Sequence, residues 1–334
     1  MNKLRGLILL TSSYAAESCV SSIVIARWLR NMLKLPVFTW NGRQDPSVAA
    51  CRVFEYGSDE EAYQISHRKP APQSDYIIMV NQSTTFSQSD FLAWTAKLVH
   101  NTKKLIFVQN DYKLPMHSRY KRAAEAGKVP MIYWSAIQRV VVAKGGALLD
   151  WNRLTYAPVP MPRRGAPTSI FYFGAYRKDR GPLFEKYFGR NSACRAIISA
   201  PSGVQQKKFA AMAGPSVTVR HDKRPIAQQL VDVAATLYLE DPYSSRNYTS
   251  PANRFYEALS AGTALLIDEA ALSTFNTAGL HDASLFAVSS SCDVMRLLPR
   301  AREIAKTQRK LWTRDYCKEL RADVLRQAKI LKLK

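Results

Sequence analysis

The densest chemistry in the sequence lies in Ser250-Pro251-Ala252-Asn253-Arg254-Phe255-Tyr256-Glu257-Ala258-Leu259-Ser260-Ala261-Gly262-Thr263. A Ser/Pro start and a Gly stop frame a helix. Within it Arg254 and Glu257 stand at i and i+3, on one helix face. Such a pair can address two parts of one nucleotide. The guanidinium holds a diphosphate through charge-assisted hydrogen bonds, and the carboxylate accepts from ribose hydroxyls. The same spacing serves equally well as an intrahelical ion pair on a solvated surface, which contributes little. The helix alone does not choose between the two.

The helix needs a scaffold to aim it, and the sequence around it supplies one. Short apolar runs at 169–173, 196–199, 236–239 and 264–267 read as strands. Helical patterns at 181–187, 225–234 and 253–260 separate them. The first half repeats the scheme, with strands expected at 7–10, 37–40, 52–56, 76–80 and 105–109 and helices at 17–32 and 91–100. Strands that alternate with helical stretches argue for βαβ units and parallel sheets. Between the halves, Pro158, Pro160, Pro162 and Pro167 interrupt regular structure and mark a linker. A length of 334 residues exceeds the usual reach of one core. The expectation is therefore α/β, two Rossmann-like domains over 1–160 and 161–300 facing a cleft. A C-terminal helix over 301–334 returns toward the first domain. This tail carries eleven Lys/Arg against four Asp/Glu, with apolar Ile304, Leu311, Leu320, Val324 and Leu325, and reads as a solvated helix packed on one face.

Charge narrows the partners. Lys plus Arg is 48, Asp plus Glu is 26, and the formal net charge is +22. A surplus of this size favours a polyanion, nucleic acid before an anionic membrane. No stretch approaches the roughly 20 apolar residues that span a bilayer, and the start of the sequence reads as a buried strand rather than a signal peptide. Cys19, Cys51, Cys194, Cys292 and Cys317 show no metal-ligand spacing and fit reduced cytosolic thiols. The five histidines show none either.

The helix at 253–260 resembles the nucleotide-binding helix of GT-B glycosyltransferases, and four segments in order resemble the DNA β-glucosyltransferase family of tailed phages. They are Val80-Asn81-Gln82-Ser83, Leu105-Ile106-Phe107-Val108-Gln109-Asn110-Asp111-Tyr112-Lys113-Leu114-Pro115, Tyr172-Phe173-Gly174-Ala175-Tyr176-Arg177, and the Arg254–Glu257 helix with its following Leu266-Ile267-Asp268-Glu269. The resemblance implies an inverting transfer of glucose or a related sugar from a UDP-sugar such as UDP-glucose. The acceptor would be the hydroxyl of a 5-hydroxymethylated pyrimidine in double-stranded DNA. It implies Asp111 as general base, because a hydroxymethyl group is a poor nucleophile until a carboxylate takes its proton.

Gly174, Tyr176, Arg177, Arg180, Tyr243, Arg254 and Glu257 would bind the nucleotide sugar, the arginines neutralising the departing diphosphate. The family's second arginine is spaced slightly further along, which makes Lys178 a rival to Arg180. Mg2+ or Mn2+ would accompany UDP, with no metal ligands assigned. DNA would meet Asn81, Gln82, Ser83, Phe86, Lys113, Arg119, Lys121 and Arg122, with Gln82 or Phe86 filling the gap left by a base turned out of the duplex. The donor-sugar pocket departs from the family. An ungapped alignment puts Ser22 where the family has a Glu, Glu17 lies within reach of a shift, and Thr11-Ser12-Ser13-Tyr14 replaces a glycine-containing loop. Either departure points to a different sugar, such as arabinose or an N-acetylhexosamine. The implied location is the cytoplasm of an infected host. The competing readings are a GT-B enzyme with a non-DNA acceptor and a non-catalytic nucleic-acid-binding protein.

Overall fold

The computed structural model describes residues 4–10, 22–40, 62–65, 73–81, 99–100, 102–109, 124–138, 141–142, 145–161 and 167–333. The chain divides into two units, Met1–Leu154 with Tyr316–Lys334, and Thr155–Asp315.

The first unit is built on a seven-stranded parallel sheet of order β3-β2-β1-β4-β5-β6-β7. Its strands are β1 (Leu4–Leu10), β2 (Val37–Trp40), β3 (Ala62–Ile65), β4 (Ser74–Asn81), β5 (Lys104–Gln109), β6 (Met131–Ser135) and β7 (Ala147–Leu148). Their near-continuous apolar runs suit strands covered on both faces. Helix α1 (Ser22–Leu33) covers part of one face through Ile25, Ala26 and Leu29. The strand expected at 52–56 lies outside the described residues, as does most of the helix expected at 91–100, whereas β3 falls in a stretch for which no element is expected.

The second unit repeats the topology with six parallel strands, β10-β9-β8-β11-β12-β13. These are β8 (Ile170–Phe173), β9 (Ala196–Ser199), β10 (Val217–Arg220), β11 (Ala235–Tyr238), β12 (Ala264–Asp268) and β13 (Ala287–Val288). Helices α2 (Gly181–Phe188), α3 (Gly203–Ala210), α4 (Ile226–Val231), α5 (Pro242–Asn247), α6 (Asn253–Ala261), α7 (Leu272–Thr277) and α8 (Ser291–Leu297) connect them. In both sheets the strand order reverses beside the first strand, at β1/β4 and at β8/β11. Open α/β sheets bind ligands beyond the carboxyl ends of the strands at such a switch point.

The helix expected over 301–334 is two helices, α9 (Ala301–Trp312) and α10 (Tyr316–Ile330), separated at Thr313-Arg314-Asp315. Each answers to a different core. On α9 the inward face is Ile304, Ala305, Gln308 and Trp312, and Leu311 is exposed. Gln308 accepts from the Leu265 N–H at 2.9 Å and donates to the Leu265 carbonyl at 2.7 Å. Short β13 pairs with β12 only at Ile267 and Asp268, so this buried amide completes β12 where no strand reaches. On α10, Leu320, Val324 and Ala328 recur at four-residue intervals and enter the first unit's core with Ile8, Ile78, Ile106 and Trp134. Tyr76 and Lys104 then donate to the carbonyls of Leu333 and Leu331 at 2.7 and 2.5 Å, securing the turn after the helix.

Candidate nucleotide-diphosphate site

The carboxyl ends of β8 and β11 converge on α6. After β8 the chain turns at Gly174, whose φ of +133° suits glycine. Tyr176 follows, its ring stacked on Phe184 at 5.6 Å and its N–H donated to Gln205 Oε1 at 2.7 Å. Arg177 precedes and Arg180 ends a single turn of 3-10 helix, Lys178–Arg180, that leads into α2. After β11 come Leu239, Glu240 and Asp241. The Asp241 side chain caps α5, accepting from Ser244 N at 2.8 Å ahead of a proline in the first turn.

Helix α6 opens after Ala252 and ends at Gly262, whose left-handed φ of +62° lets its N–H reach back to Ala258 and Leu259. This places Arg254 on the inner side of the helix. Its guanidinium lies over the rings of Tyr172 and Tyr238, 5.7 and 5.5 Å from their centroids. Nη1 donates to the Tyr172 hydroxyl at 3.0 Å and Nη2 to the Leu239 carbonyl at 3.2 Å. A guanidinium has five N–H donors, so the anchoring leaves capacity for a ligand. Burial alone would lower the pKa of Arg254, but the Tyr172 and Tyr238 phenols outweigh it and raise it. The intrahelical surface pair is excluded, because Arg254 is buried and makes no ion pair with Glu257 among the described contacts.

Arg180 is also buried. It donates from Nε and Nη2 to Asp241 Oδ2 at 3.3 and 3.2 Å. Arg177 approaches the same oxygen at 3.8 Å with its side chain half exposed. Burial, then repulsion from Arg254, lowers the pKa of Arg180. Burial opposes the charge on Asp241, but the Ser244 N–H and Arg180 prevail and hold its carboxyl below the usual range. The exposed Lys178 takes no part in this arrangement. Three guanidiniums thus gather near one paired aspartate, and the surplus of positive charge suits an anion with several oxygens.

Glu257 sits one turn along α6. Its Oε1 accepts from Asn253 Nδ2 at 3.3 Å, while Oε2 is shielded from solvent and has no partner. Burial pushes its carboxyl up to about 7. An orphaned buried acceptor is costly, and a diol supplies the missing donors. Glu240 lies within electrostatic reach of Arg254 and Arg180 but is held by other partners. It accepts from the Tyr238 hydroxyl at 2.5 Å and from Thr274 Oγ1 at 2.7 Å, and burial raises its pKa. The Tyr238 hydroxyl in turn accepts from the Ala252 N–H at 2.8 Å, fixing the start of α6. Tyr243 lies partly buried on α5.

Of the residues expected to bind a nucleotide sugar, the structure groups Arg177, Arg180 and Arg254, and a Cβ added at Gly174 would stand 3.6 Å from Arg254 Nη1. Tyr238, Glu240 and Asp241 were not singled out by sequence, and Tyr172 stood only within a segment that carries the resemblance, with no role of its own. The Asp241-Pro242 cap signature was the available clue. In the first unit Asn81 ends β4 opposite Gln109 of β5, and Ser22 opens α1. Asp111, Glu17, Gln82, Ser83, Phe86, Lys113, Arg119, Lys121 and Arg122 lie outside the described residues. Among the described residues no group of three or more His, Cys, Asp or Glu converges as a metal site. None of their helices is long and apolar enough to cross a membrane.

No protein-family model and no curated protein sequence matches the chain. Solved structures do. A T4 phage β-glucosyltransferase structure superposes with a TM-score of 0.63 at 14% identity, covering 98% of this chain and 99% of that one. The T4 phage enzyme in complex with its UDP-glucose substrate gives 0.61 at 13% identity with the same coverage. An α-glucosyltransferase in complex with UDP and a 13-mer DNA gives 0.51 at 10%, covering 90% and 94%. What the chain shares with these proteins is the GT-B fold, two Rossmann-like units each built on a parallel sheet.

Proposed function

We propose that the protein is a DNA glycosyltransferase that moves a sugar from a UDP-sugar to the hydroxyl of a 5-hydroxymethylated pyrimidine in duplex DNA, with inversion. The observation that carries the reading is the guanidinium cluster of Arg254, Arg180 and Arg177 at the β8/β11 switch point, one helical turn from a buried carboxylate oxygen without a partner. A nucleoside diphosphate has the complementary parts, a dianionic diphosphate and a ribose diol. The net charge of +22 fits a DNA acceptor, and the fold is one in which UDP-glucose- and DNA-bound structures are known.

In this reading the acceptor hydroxyl oxygen attacks the anomeric carbon as the bond from that carbon to the diphosphate breaks. The hydroxyl proton passes to Asp111. The electron pair leaves on the diphosphate, where fixed guanidiniums meet the growing charge without reorganising. Glu257 holds the ribose, and Gly174 lets the β8 turn lie close to the ligand. Mg2+ or Mn2+ would lend further charge to the diphosphate when bound. No described residues form a cage for it, and no step depends on it. The implied setting is the cytoplasm of a phage-infected cell, where a sugar on the base blocks restriction.

The test is incubation with a panel of UDP-sugars and duplex DNA with and without 5-hydroxymethylcytosine, followed by digestion and nucleoside mass analysis. A hexose, pentose or N-acetylhexosamine increment confined to the modified base is expected. Transfer to a glycan instead of DNA would move the acceptor assignment. No transfer from any donor, with DNA still bound, would leave a non-catalytic DNA-binding protein.

A further inference from the structure

One buried titratable group at this site has no part in the reaction above. Tyr172, on β8, is fully buried. Its phenol oxygen accepts from Arg254 Nη1 at 3.0 Å, and the Arg180 guanidinium bears on the same oxygen. Both neighbours are donors only, since a guanidinium has no acceptor. Apart from the Arg254 guanidinium over its face, the groups packed around the ring are apolar: Phe184 and Phe188 from α2, with centroids at 5.4 Å, and Phe209 from α3 at 6.1 Å. Toward the turn stands Gly174, where a Cβ would come 3.7 Å from the phenol oxygen and 3.6 Å from Arg254 Nη1. Among the described residues nothing accepts the phenol's own proton.

A hydroxyl wedged against two cations, with no acceptor for its hydrogen, is better suited as an oxygen anion than as an O–H. Burial works against ionisation, but Arg254 and Arg180 outweigh it, and the hydroxyl ionises below the usual tyrosine range.

We propose that Tyr172 positions Arg254, acts as the internal counter-group of the guanidinium cluster, and takes up a proton when a nucleoside diphosphate binds. This rests on the nucleotide reading of the site. Without ligand, the phenol oxygen partners Arg254 and draws on the charge of Arg180. A diphosphate brings further negative charge to those guanidiniums and offsets their pull on the phenol. In the alkaline range where Tyr172 is ionised without ligand, it then gains a proton from solvent; one O–H bond forms and no electrons are transferred. By linkage, UDP affinity falls as pH rises through the range in which Tyr172 ionises, because the ligand must then be accompanied by a proton.

The experiment follows tyrosinate absorbance across the alkaline range in wild type and Tyr172→Phe, each with and without UDP, with UDP affinity measured by calorimetry on the same samples. In wild type one tyrosine titrates below the rest, and UDP moves it upward by about one pH unit or more. Tyr172→Phe keeps the ring and its packing, lacks that component, binds UDP about tenfold more weakly at neutral pH and loses the alkaline decline in affinity. If wild type binds UDP while its tyrosine titration stays in place, the proposal is overturned and the nucleotide site survives. If Tyr172→Phe matches wild type in affinity and pH profile, the proposal falls likewise. If wild type binds no UDP at all, the nucleotide reading fails, and the proposal with it.

Discussion

Glu257→Gln should make the protein more stable and a poorer binder of UDP. The carboxyl of Glu257 is held at about 7 in the fold against an ordinary 4.5, and burial is the cause. An acid whose value rises on folding favours the protonated fold. The native state is then unpenalised below 4.5 and loses stability as pH rises through 7. At about 1.4 kcal/mol per pH unit, the gap between 4.5 and about 7 corresponds to about 3 kcal/mol. By pH 8 nearly all of it is lost, whereas at pH 5 the loss is only about 1 kcal/mol. Glutamine keeps an oxygen for Asn253 Nδ2 and carries no charge to bury. The variant should therefore unfold later than wild type at pH 8, by about 6–12 °C for a unit of this size, and by much less at pH 5. Thermal and urea unfolding at the two pH values, with and without UDP, measure this directly. UDP should protect wild type more than the variant, because the ribose loses its anionic acceptor. A variant no more stable than wild type at pH 8, or equally stabilised at both pH values, would refute the claim that Glu257 is an uncompensated buried carboxyl.

Arg254→Lys should weaken UDP binding by about 10- to 100-fold in calorimetry, since an ammonium cannot span the Tyr172 oxygen and the Leu239 carbonyl while facing a diphosphate; wild-type affinity would remove Arg254 from the binding set. Asp111→Asn should cut sugar transfer by about 100-fold or more while leaving DNA affinity, read by fluorescence anisotropy, unchanged. Near-full turnover would end its candidacy as the base. Gln308→Leu strands the N–H and carbonyl of Leu265 and should cost about 2–4 kcal/mol in urea unfolding, with UDP affinity of the folded variant intact; a neutral effect would mean that β12 satisfies those groups another way.

The alternating apolar runs made both parallel sheets legible before any coordinates, because strands covered on both faces must be apolar throughout. The runs at 196–199 and 264–267 coincide with β9 and β12 to within a residue. Arg254 and Glu257 were visible because a helix face can be read from spacing. What spacing does not carry is where Arg254 turns. Its partner Tyr172 is 82 positions away, and Asp241 is 61 from Arg180, so neither contact leaves a local trace. Tyr172 and Tyr238 look like ordinary strand aromatics until the β8/β11 switch point brings the hydroxyl of one and the ring of the other beside Arg254. The basic tail misled for a related reason. Its helical period runs on through Thr313-Arg314-Asp315, and only the existence of two separate cores explains why the chain stops there and starts again.

The division of the first unit bears on the order in which the chain matures. Leu320, Val324 and Ala328 are part of the core that Ile8, Ile78 and Ile106 begin, yet all of Thr155–Asp315 is made between them. At bacterial or eukaryotic synthesis rates, those 161 residues take roughly 10–30 s. During that interval the part of the β1–β7 sheet that α10 covers beside α1 stays bare, while the unit that carries Arg254 and Glu257 gains everything its own core requires by its end. The nucleotide-binding half is therefore expected to mature first on the ribosome, and the nascent first half to be the part that relies on chaperones until α10 emerges.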